Sequence, residues 1–316
     1  MDVSIVIVSW NSQKLLDLTL ESIIKFTKKV TYEIIVVDNS SDDGSEEMVK
    51  NKYPDVKIIQ SGSNHGFAKG NNIGIAVGKG KHLFLINSDI EIFDDCISQM
   101  YFFLEENPDV GLCGPTILDK NRTIQRSCMG FPNLINSLAF ALFLDRIFPK
   151  SKLLGGYLMN YWKHNSTKDV DVINGCFWGV RGTVMKKLKG LDERFFMYGE
   201  DIDFCRRVKD LGFRVVYYHL AMAIHYGGGS SKNAPIRFYL EMNRANIIYW
   251  KKYSSKIELN LYIIILLLHQ TIRMLINIPV SFLHQNRVNF IRSFKCINFL
   301  LAILIKKDLL ENISFK

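Results

Sequence analysis

Apolar residues follow two alternating patterns along the first 115 positions. Short apolar runs rich in β-branched residues, such as VSIVIVS at 3–9 and YEIIVVD at 32–38, predict buried strands. Between them, NSQKLLDLTLESIIKF at 11–26 has apolar residues at helical spacing. Because apolar strands alternate with helices, we predict an α/β fold with a mostly parallel central sheet and helices on both faces. Further strands are predicted at 56–61, 82–87 and 110–115, and further helices at 43–53, 68–78 and 94–106.

The pattern is less regular from 116 to 231. PNLINSLAFALFLDRIF at 132–148 predicts one strongly apolar helix. EDIDFCRRVKDLG at 200–212 predicts a helix that ends at Gly212. Two short strands are predicted at 213–218 and 221–226, and an amphipathic helix at 236–253.

Residues 232–316 combine apolar with basic residues. They contain 13 Lys and Arg but 4 Asp and Glu, while residues 1–231 contain 27 of each, so this region carries the net charge of +9. Its longest apolar run, 261–268, is shorter than the roughly 20 residues that a membrane span needs. We therefore expect helices that lie on a membrane surface, with a hairpin packed on the main domain as the alternative. Nucleic-acid binding is not expected, because the basic residues alternate with Leu and Ile.

The cysteines indicate a reducing compartment. The chain has six of them and no CxxC pair, and most lie in apolar runs. Buried free thiols are therefore expected, and neither a disulfide framework nor a zinc site.

Polar residues stand at the ends of the first four predicted strands. Ligands of open α/β sheets collect beyond the carboxyl ends of the strands, so we expect these residues to bind a polar ligand. Asp89 can hold a divalent cation that bridges to phosphate oxygens. Asn87, two residues earlier, points to the same side of an extended chain as Asp89. For any single residue, a helix cap or a turn is the alternative. The polar triplets are Ser9-Trp10-Asn11, Asp38-Asn39-Ser40, Gly62-Ser63-Asn64 and Asn87-Ser88-Asp89.

A glycine-rich stretch, SNHGFAKGNNIG at 63–74, follows the third strand. It places Gly66, Gly70 and Gly74 on one face of a helix. This spacing allows close packing of the backbone or the close approach of a ligand. The stretch matches neither the dinucleotide-binding G-x-G-x-x-G nor a P-loop.

Three carboxylates follow an aromatic run in FFMYGEDIDFCRRV at 195–208. Glu200, Asp201 and Asp203 fall in the first helical turn, where the helix dipole stabilises negative charge. The aromatic neighbours indicate a role beyond this one. They partly desolvate a carboxylate, which raises its pKa and suits it to act as a general base. His225 precedes three glycines and is either a core histidine or a metal ligand.

Together these motifs resemble the family 2 glycosyltransferases, and among them the bacterial rhamnosyltransferase-like branch that builds cell-surface polysaccharide. The resemblance covers about residues 3–231 and implies a GT-A domain at 1–231. Its donor half would span about 1–115 and its acceptor half about 116–231, with a basic, apolar helical region at 232–316. The motifs are VSIVIVSWNS, VVDNSSDDGS, NHGFAKGNNIG, FLINSD, GLDERFFMYGEDIDFCRRVKDLGFRVVYY and IHYGGGSS.

The resemblance also implies roles for individual residues. Asp201 matches the catalytic base, and Glu200 is a neighbouring carboxylate that binds the acceptor. Asp89 and His225 match ligands of Mg²⁺ or Mn²⁺, while Asn87 replaces the first Asp of the family's D-x-D. The residues expected to bind the nucleotide-sugar are Ser9, Asn11, Asp38, Asn64, Gly66, Asn71, Asn87 and Ser88.

The expected function is the inverting, metal-dependent transfer of a sugar from a nucleotide-diphospho-sugar to a lipid-linked saccharide acceptor. The first expectation is rhamnose from dTDP-rhamnose, and another hexose such as galactose or glucose from a UDP donor is the alternative. A non-enzymatic alternative is a membrane-docked scaffold with a degenerate donor site. A nucleotidyltransferase would need a Gly-rich basic loop after the first strand, and SWNSQK does not supply one. We expect a peripheral protein at the cytoplasmic face of the inner membrane.

Overall fold

The computed structural model of the chain describes residues 1–227, 235–278 and 284–305. Strands and helices alternate over the first 118 residues as predicted, with small shifts at their ends, except that an unpredicted short strand, Ile90–Ile92, follows the strand His82–Asn87 directly. The glycines and serines at 228–231 of the last motif lie outside the described residues. The elements of the first part are β1 Val3–Ser9, α1 Gln13–Phe26, β2 Tyr32–Asp38, α2 Ser45–Lys52, β3 Lys57–Gln60, α3 Gly66–Val77, β4 His82–Asn87, β5 Ile90–Ile92, α4 Cys96–Glu106 and β6 Val110–Leu118.

Two predictions for the remaining elements need correction, and several short strands were not predicted. Segment 132–148 forms two helices instead of one, because Phe143 adopts a left-handed backbone (φ 58°) between them. The strands predicted at 213–218 and 221–226 are a single strand, and a shift of register between Tyr218 and Met222 takes up the intervening residues. These elements are β7 Ile124–Gln125, β8 Cys128–Met129, α5 Leu134–Ala141, α6 Leu144–Ile147, β9 Lys168–Asp169, β10 Val172–Ile173, β11 Phe177–Arg181, α7 Gly182–Leu188, α8 Glu200–Asp210, β12 Arg214–His225, α9 Pro235–Tyr253, α10 Lys256–Asn277 and α11 His284–Ile305.

The main sheet is parallel in its first part and mixed beyond it. Strands β3, β2, β1 and β4 lie side by side and run parallel. Next to β4, β11 runs antiparallel to both β4 and β6, and β12 then pairs in parallel with β6 and antiparallel with β5. The predicted parallel arrangement thus describes the first four strands, and β11 enters from the second half of the chain in the opposite direction.

The core of the sheet follows from the sequence pattern. β1 is buried on both faces, with Val3, Ile5, Val6 and Ile7 fully buried. In α1, the stripe at helical spacing that includes Leu16, Leu20 and Ile23 is also fully buried. Each such side chain stabilises the fold by about 1.5–3 kcal/mol relative to exposure to water. All six cysteines are buried too.

The described residues divide into two compact units. One, called the sheet unit here, comprises residues 1–130, 162–196 and 200–227. The other, the helical unit, comprises 131–161, 197–199, 235–278 and 284–305.

The helical unit contains α5, α6 and α9 to α11. The segment after 261, whose apolar run is interrupted by polar residues, lies within one continuous helix of 22 residues, α10. The polar residues His269 and Gln270 do not break it, because both are buried: a His269 ring nitrogen lies 3.2 Å from the carbonyl of Ala141, and Gln270 accepts a hydrogen bond from Tyr239 (2.8 Å). Within the described parts of the chain, α10 is the one helix with the length and composition to cross a membrane.

Candidate functional site

The carboxyl ends of the parallel strands place the predicted donor-binding residues at one edge of the sheet. Ser9 at the end of β1 is aligned with Asp38 at the end of β2, and both are buried. The Ser9 hydroxyl lies 3.0 Å from that of Ser12, which donates to the Ser88 hydroxyl at 2.9 Å. A chain of hydroxyl groups therefore links the end of β1 to the end of β4.

The loop after β2 is organised around Asp38. The Asp38 carboxylate accepts hydrogen bonds from the backbone N–H and the hydroxyl of Ser41. Asn11 stabilises the same loop: its N–H donates to the Ser41 hydroxyl (2.9 Å), and its side-chain oxygen accepts from the Asp42 N–H (2.9 Å). The structure thus brings Asn11 and Asp38 together through their hydrogen bonds to one loop.

Helix α3 packs closely on the sheet through its glycines. A Cβ atom at Gly74 would lie 2.4 Å from Val6, and one at Gly70 would lie 2.8 Å from Val8. At Gly66, where φ is +79°, it would lie 2.1 Å from the carbonyl oxygen of Phe196. Of the two uses expected for this spacing, the structure therefore has close backbone packing.

The predicted asparagines of this region hold the start of α3. Asn64 accepts a hydrogen bond from the Gly66 N–H (3.0 Å), and buried Asn71 donates to the Phe67 carbonyl (2.9 Å). Asn39, which belongs to one of the polar triplets expected to bind a ligand, donates to the Gly66 carbonyl at 3.0 Å. Its side-chain oxygen is buried and has no hydrogen-bond partner among the described residues.

Asp89 and His225 come together because β5 pairs with β12. His225 is aligned with Ile90, the residue after Asp89, and its Nε2 lies 3.3 Å from Asp89 Oδ1. The other ring nitrogen lies 3.2 Å from the side-chain oxygen of Gln125. If Nδ1 carries the proton, it donates to Gln125 and leaves the Nε2 lone pair on the side of Asp89. Gln125 was not predicted, since only the pairing of β7 with β6 brings it here.

The same edge of the sheet fits a divalent cation. Asp89 and His225 offer one carboxylate and one imidazole, and the buried side-chain oxygen of Asn87 has no partner among the described residues. Over residues 1–227, 235–278 and 284–305, no group of three or more His, Cys, Asp and Glu side chains could hold a metal ion. A cation at Asp89 would therefore need oxygen ligands from a bound diphosphate or from water, which is how Mg²⁺ is commonly held.

The three carboxylates of α8 have different surroundings. Asp203 is fully buried and forms an ion pair with Arg207 (2.7 Å). Arg207 also donates to the carbonyls of Leu188 and Gly190, so this pair anchors the helix. Glu200 and Asp201 are buried as well, and Asp201 Oδ1 accepts a hydrogen bond from the Ile202 N–H at 2.8 Å.

A short segment, residues 175–176, connects Asp89 with Asp201. The Cys176 carbonyl accepts a hydrogen bond from the Asn87 N–H (2.9 Å), and a Cβ atom at Gly175 would lie 3.7 Å from that of Asp201. Burial raises the pKa of the Cys176 thiol, and the charges of Asp89 and Asp201 raise it further. Segment 175–176 therefore contacts both Asp201 and Asn87, which stands two residues before Asp89.

Comparisons with known proteins identify glycosyltransferases as relatives of this chain. A family model described as glycosyl transferase family 2 matches residues 4–149. N-acetylglucosaminyl-diphospho-decaprenol L-rhamnosyltransferase of Mycobacterium tuberculosis is 24% identical over 227 residues, which are 68% of this chain and 73% of that protein. Rhamnosyltransferase WbbL of Escherichia coli is 28% identical over 205 residues, which are 62% of this chain and 73% of that protein.

A solved structure shows the same fold. Mannosyltransferase PcManGT from Pyrobaculum calidifontis, in complex with GDP-Man and Mn²⁺, superposes with a TM-score of 0.57 at 14% identity. The match covers 96% of this chain and 86% of that one. Residues 4–149 thus form a family 2 glycosyltransferase domain, and the chain is a glycosyltransferase with a GT-A fold, similar to the rhamnosyltransferase-like branch of that family.

Proposed function

We propose that this protein transfers a sugar, with inversion and with the help of a divalent cation, from a nucleotide-diphospho-sugar to a saccharide acceptor. One observation carries the proposal: segment 175–176 contacts both Asp201 and the strand end before Asp89, because the Cys176 carbonyl accepts from the Asn87 N–H (2.9 Å) and a Cβ atom at Gly175 would lie 3.7 Å from that of Asp201. A diphosphate bound at Asp89 would therefore lie within a few side chains of a carboxylate able to take a proton.

The strand ends would bind the donor. Ser9 and Asp38 would line the nucleotide base, and the hydroxyl chain from Ser9 to Ser88 offers donors and acceptors to the ribose and diphosphate. Asn87 has a buried oxygen without a partner among the described residues, and a ligand hydroxyl or a cation would satisfy it. Asn11, Asn64, Gly66 and Asn71 would shape the wall of this pocket through the loop and helix contacts that they make.

Asp89 and His225 would hold Mg²⁺ or Mn²⁺. Gln125 would orient the imidazole, as outer-shell partners of metal-binding histidines generally do. When bound, the cation neutralises charge that develops on the departing diphosphate.

Asp201 would act as the general base. The Ile202 N–H fixes the orientation of its carboxylate. Asp201 takes the proton from an acceptor hydroxyl, whose oxygen attacks the anomeric carbon on the face opposite the diphosphate. The new C–O bond forms as the sugar–phosphate bond breaks, and the electron pair leaves on the diphosphate, so the configuration inverts. Glu200, next to it, would hydrogen-bond the hydroxyls of the acceptor.

For the sugar, we propose rhamnose from dTDP-rhamnose, with galactose or glucose from a UDP donor as the alternative. Two relatives are named rhamnosyltransferases, and the name of one specifies a diphospho-decaprenol acceptor. We therefore propose a lipid-linked saccharide acceptor at the cytoplasmic face of the inner membrane. In this proposal residues 1–231 catalyse transfer, and the basic, apolar region 232–316 holds the protein at that surface.

The test is a comparison of donors with the purified full-length protein. Nucleotide diphosphate release is measured with Mn²⁺, a polyprenyl-diphosphate-linked N-acetylglucosamine acceptor, and dTDP-rhamnose, UDP-galactose or UDP-glucose in turn. Acceptor-dependent release is expected to be fastest with dTDP-rhamnose. If release is faster with a UDP-hexose, that hexose and not rhamnose is the transferred sugar. If no donor gives release above the blank, the result favours the membrane-docked scaffold over an enzyme.

A further inference from the structure

Helix α10 carries an exposed line of apolar side chains along its whole length. They recur at spacings of four, three, four and seven residues, which places them one above another on the helix. The line extends about 27 Å. Its members, each 41–73% exposed, are Ile257, Leu261, Ile264, Leu268 and Leu275.

The apolar surface is wider than this line. Ile276 and Ile278 turn to either side of Leu275 and are 59% and 48% exposed. Ile265 and Leu267, which flank the line in the middle of the helix, are half-buried. The line and these flanks are called the outer face of α10. A single narrow line is what one facing helix covers in a coiled coil, whereas a broad apolar face fits an extended apolar surface.

The charged residues of α10 lie at its start or on its inner face. Lys256 and Glu258 belong to the first turn, where Glu258 is bonded to Ser255. Arg273 lies on the opposite face from the line, 6.0 Å from the centre of the Tyr239 ring. The outer face beyond the first turn therefore carries no charge.

The inner face of α10 is packed on a charged helix. Trp250 of α9 stacks on Tyr262 of α10, with ring centres 4.6 Å apart. Helix α9 has five charged residues, two of which, Glu241 and Arg244, form a buried ion pair. If α10 crossed a bilayer in this packing, α9 would enter the hydrocarbon with it, which is costly for charged side chains. The packing therefore favours a helix that lies along a surface.

A basic segment, residues 146–153, lies beside α10. The guanidinium of Arg146 is 5.1 Å from the centre of the Phe143 ring, which is 5.5 Å from that of His269 in the middle of α10. The segment contains three basic residues and no acidic one. Its exposed basic and apolar side chains are Arg146, Ile147, Phe148, Lys150, Lys152 and Leu153.

The charge of this part of the chain favours an anionic surface over a second copy. Region 232–316 carries the whole net charge of +9, and segment 146–153 adds three positive charges. Two such units would repel each other across a shared interface, whereas a bilayer that contains anionic lipids attracts them.

We propose that the outer face of α10 lies flat in the interface of an anionic lipid bilayer, with segment 146–153 at the headgroups beside it. The apolar face would enter the headgroup–acyl boundary by about 5–10 Å. This inference rests on the membrane attachment proposed for region 232–316, and it names the surface that makes the contact. It does not depend on the sugar-transfer reaction.

The first experiment measures binding of the full-length protein to phosphatidylcholine vesicles with and without phosphatidylglycerol. The test variant is Ile264→Glu/Leu268→Glu, at positions 57% and 41% exposed. The matched control is Phe102→Glu/Leu220→Glu, which makes the same change at positions of the sheet unit that are 43% and 58% exposed. Circular dichroism and thermal unfolding verify that each variant is folded.

The test variant should bind vesicles at least about tenfold more weakly than its control, because two apolar side chains no longer enter the interface. Both variants change the net charge equally, so charge alone affects them alike. Equal binding by the two variants would overturn the inference while leaving membrane attachment in place. If the wild type binds neither kind of vesicle, both the attachment and this surface are wrong.

A second pair of variants tests the basic segment. Lys150→Gln/Lys152→Gln should weaken binding to the anionic vesicles more than Lys186→Gln/Lys187→Gln, which removes the same charge from exposed positions of the sheet unit. Equal losses would overturn the placement of segment 146–153 at the headgroups.

The last experiment measures the orientation of α10 on vesicles. Ile257→Cys, Ile264→Cys and Leu275→Cys are each given a spin label, and the depth of each label in the bilayer is measured. The native cysteines are buried, and the wild type treated in the same way gives the background. A flat helix predicts similar shallow depths at all three positions.

Two results of this experiment would contradict the proposal. Depths that change steadily along the line would mean that α10 crosses the bilayer. Labels out of contact with lipid, in a wild type that sediments as a dimer and an Ile264→Glu/Leu268→Glu variant that sediments as a monomer, would assign the outer face to a second copy of the chain.

Discussion

Asp201 and Asp203 stand two positions apart in one helical turn but have different partners. Asp203 is enclosed and paired with Arg207, which also holds two backbone carbonyls. Asp201 lies near Gly175, and its carboxylate accepts a hydrogen bond from the Ile202 N–H. Of the three carboxylates that the sequence places together, Asp203 is therefore structural, and Asp201 remains the proposed base.

Replacing Asp203 with Asn should destabilise the fold. It leaves Arg207 without its buried counter-charge, and breaking such a pair costs roughly 3 kcal/mol. Urea unfolding measures this loss, and activity per folded molecule should be retained. If Asp203→Asn leaves stability unchanged but abolishes turnover, Asp203 and not Asp201 would be the catalytic base.

Replacing Gly66 with Ala should destabilise far more than replacing Gly62 with Ala. Both glycines have φ of +79°, so each substitution carries a backbone cost of about 1 kcal/mol. Only at Gly66 would the new Cβ meet an atom, the Phe196 oxygen at 2.1 Å, whereas nothing lies within 4 Å at Gly62. Thermal unfolding compares the two variants, and equal losses would mean that the contact is not tight.

At the scale of elements, strand pairing assembles the site. Asp89 precedes β5 and His225 ends β12, and the two meet because these strands pair. The sequence pattern predicts the strands and helices of the first half, since buried strands and amphipathic helices differ in period. It does not predict Gln125 or the segment 175–176, because their part in the site depends on which strands become neighbours.

Polar residues inside apolar segments were the least predictable feature. His269 and Gln270 end the apolar run at 268, and the sequence does not reveal that both are buried against partners on α5 and α9. The end of α5 at Phe143 is equally a matter of backbone conformation that no apolar period reveals.

The start of α10 should be sensitive to its N-cap. Ser255 accepts a hydrogen bond from the Glu258 N–H, and Glu258 in turn accepts from the Ser255 N–H, which forms a capping box. Ser255→Ala should destabilise the helical unit by about 1 kcal/mol, while Ser255→Asp should retain most of the stability. Hydrogen exchange of the first turn of α10 measures the effect, and equal protection in both variants would argue against this cap.

At the scale of the whole molecule, each unit contains buried histidines. Burial lowers the pKa of His82 and His164 in the sheet unit and of His269 in the helical unit. Below the ordinary pKa of about 6.5, the unfolded chain binds protons that the folded chain does not yet bind, so acidification favours unfolding.

Stability should therefore fall as the pH drops below about 6.5 and should be insensitive to these histidines above about pH 7. Urea unfolding across this range measures the trend. The carboxylates whose pKa is lowered, such as Glu105 and Asp17, lose their contribution only at lower pH. Stability that rises on acidification from pH 7 to the range below 6.5 would contradict the account.

The proposed mechanism is tested most directly by the Asp201→Asn variant, with sugar transfer and donor binding measured on the same preparation. The account predicts that turnover falls by roughly 10²–10⁴-fold, because the amide cannot take the acceptor proton. Donor affinity, which depends on the edge of the sheet at Asp89, should remain that of the wild type. Turnover close to the wild-type value would contradict the assignment of Asp201 as the base.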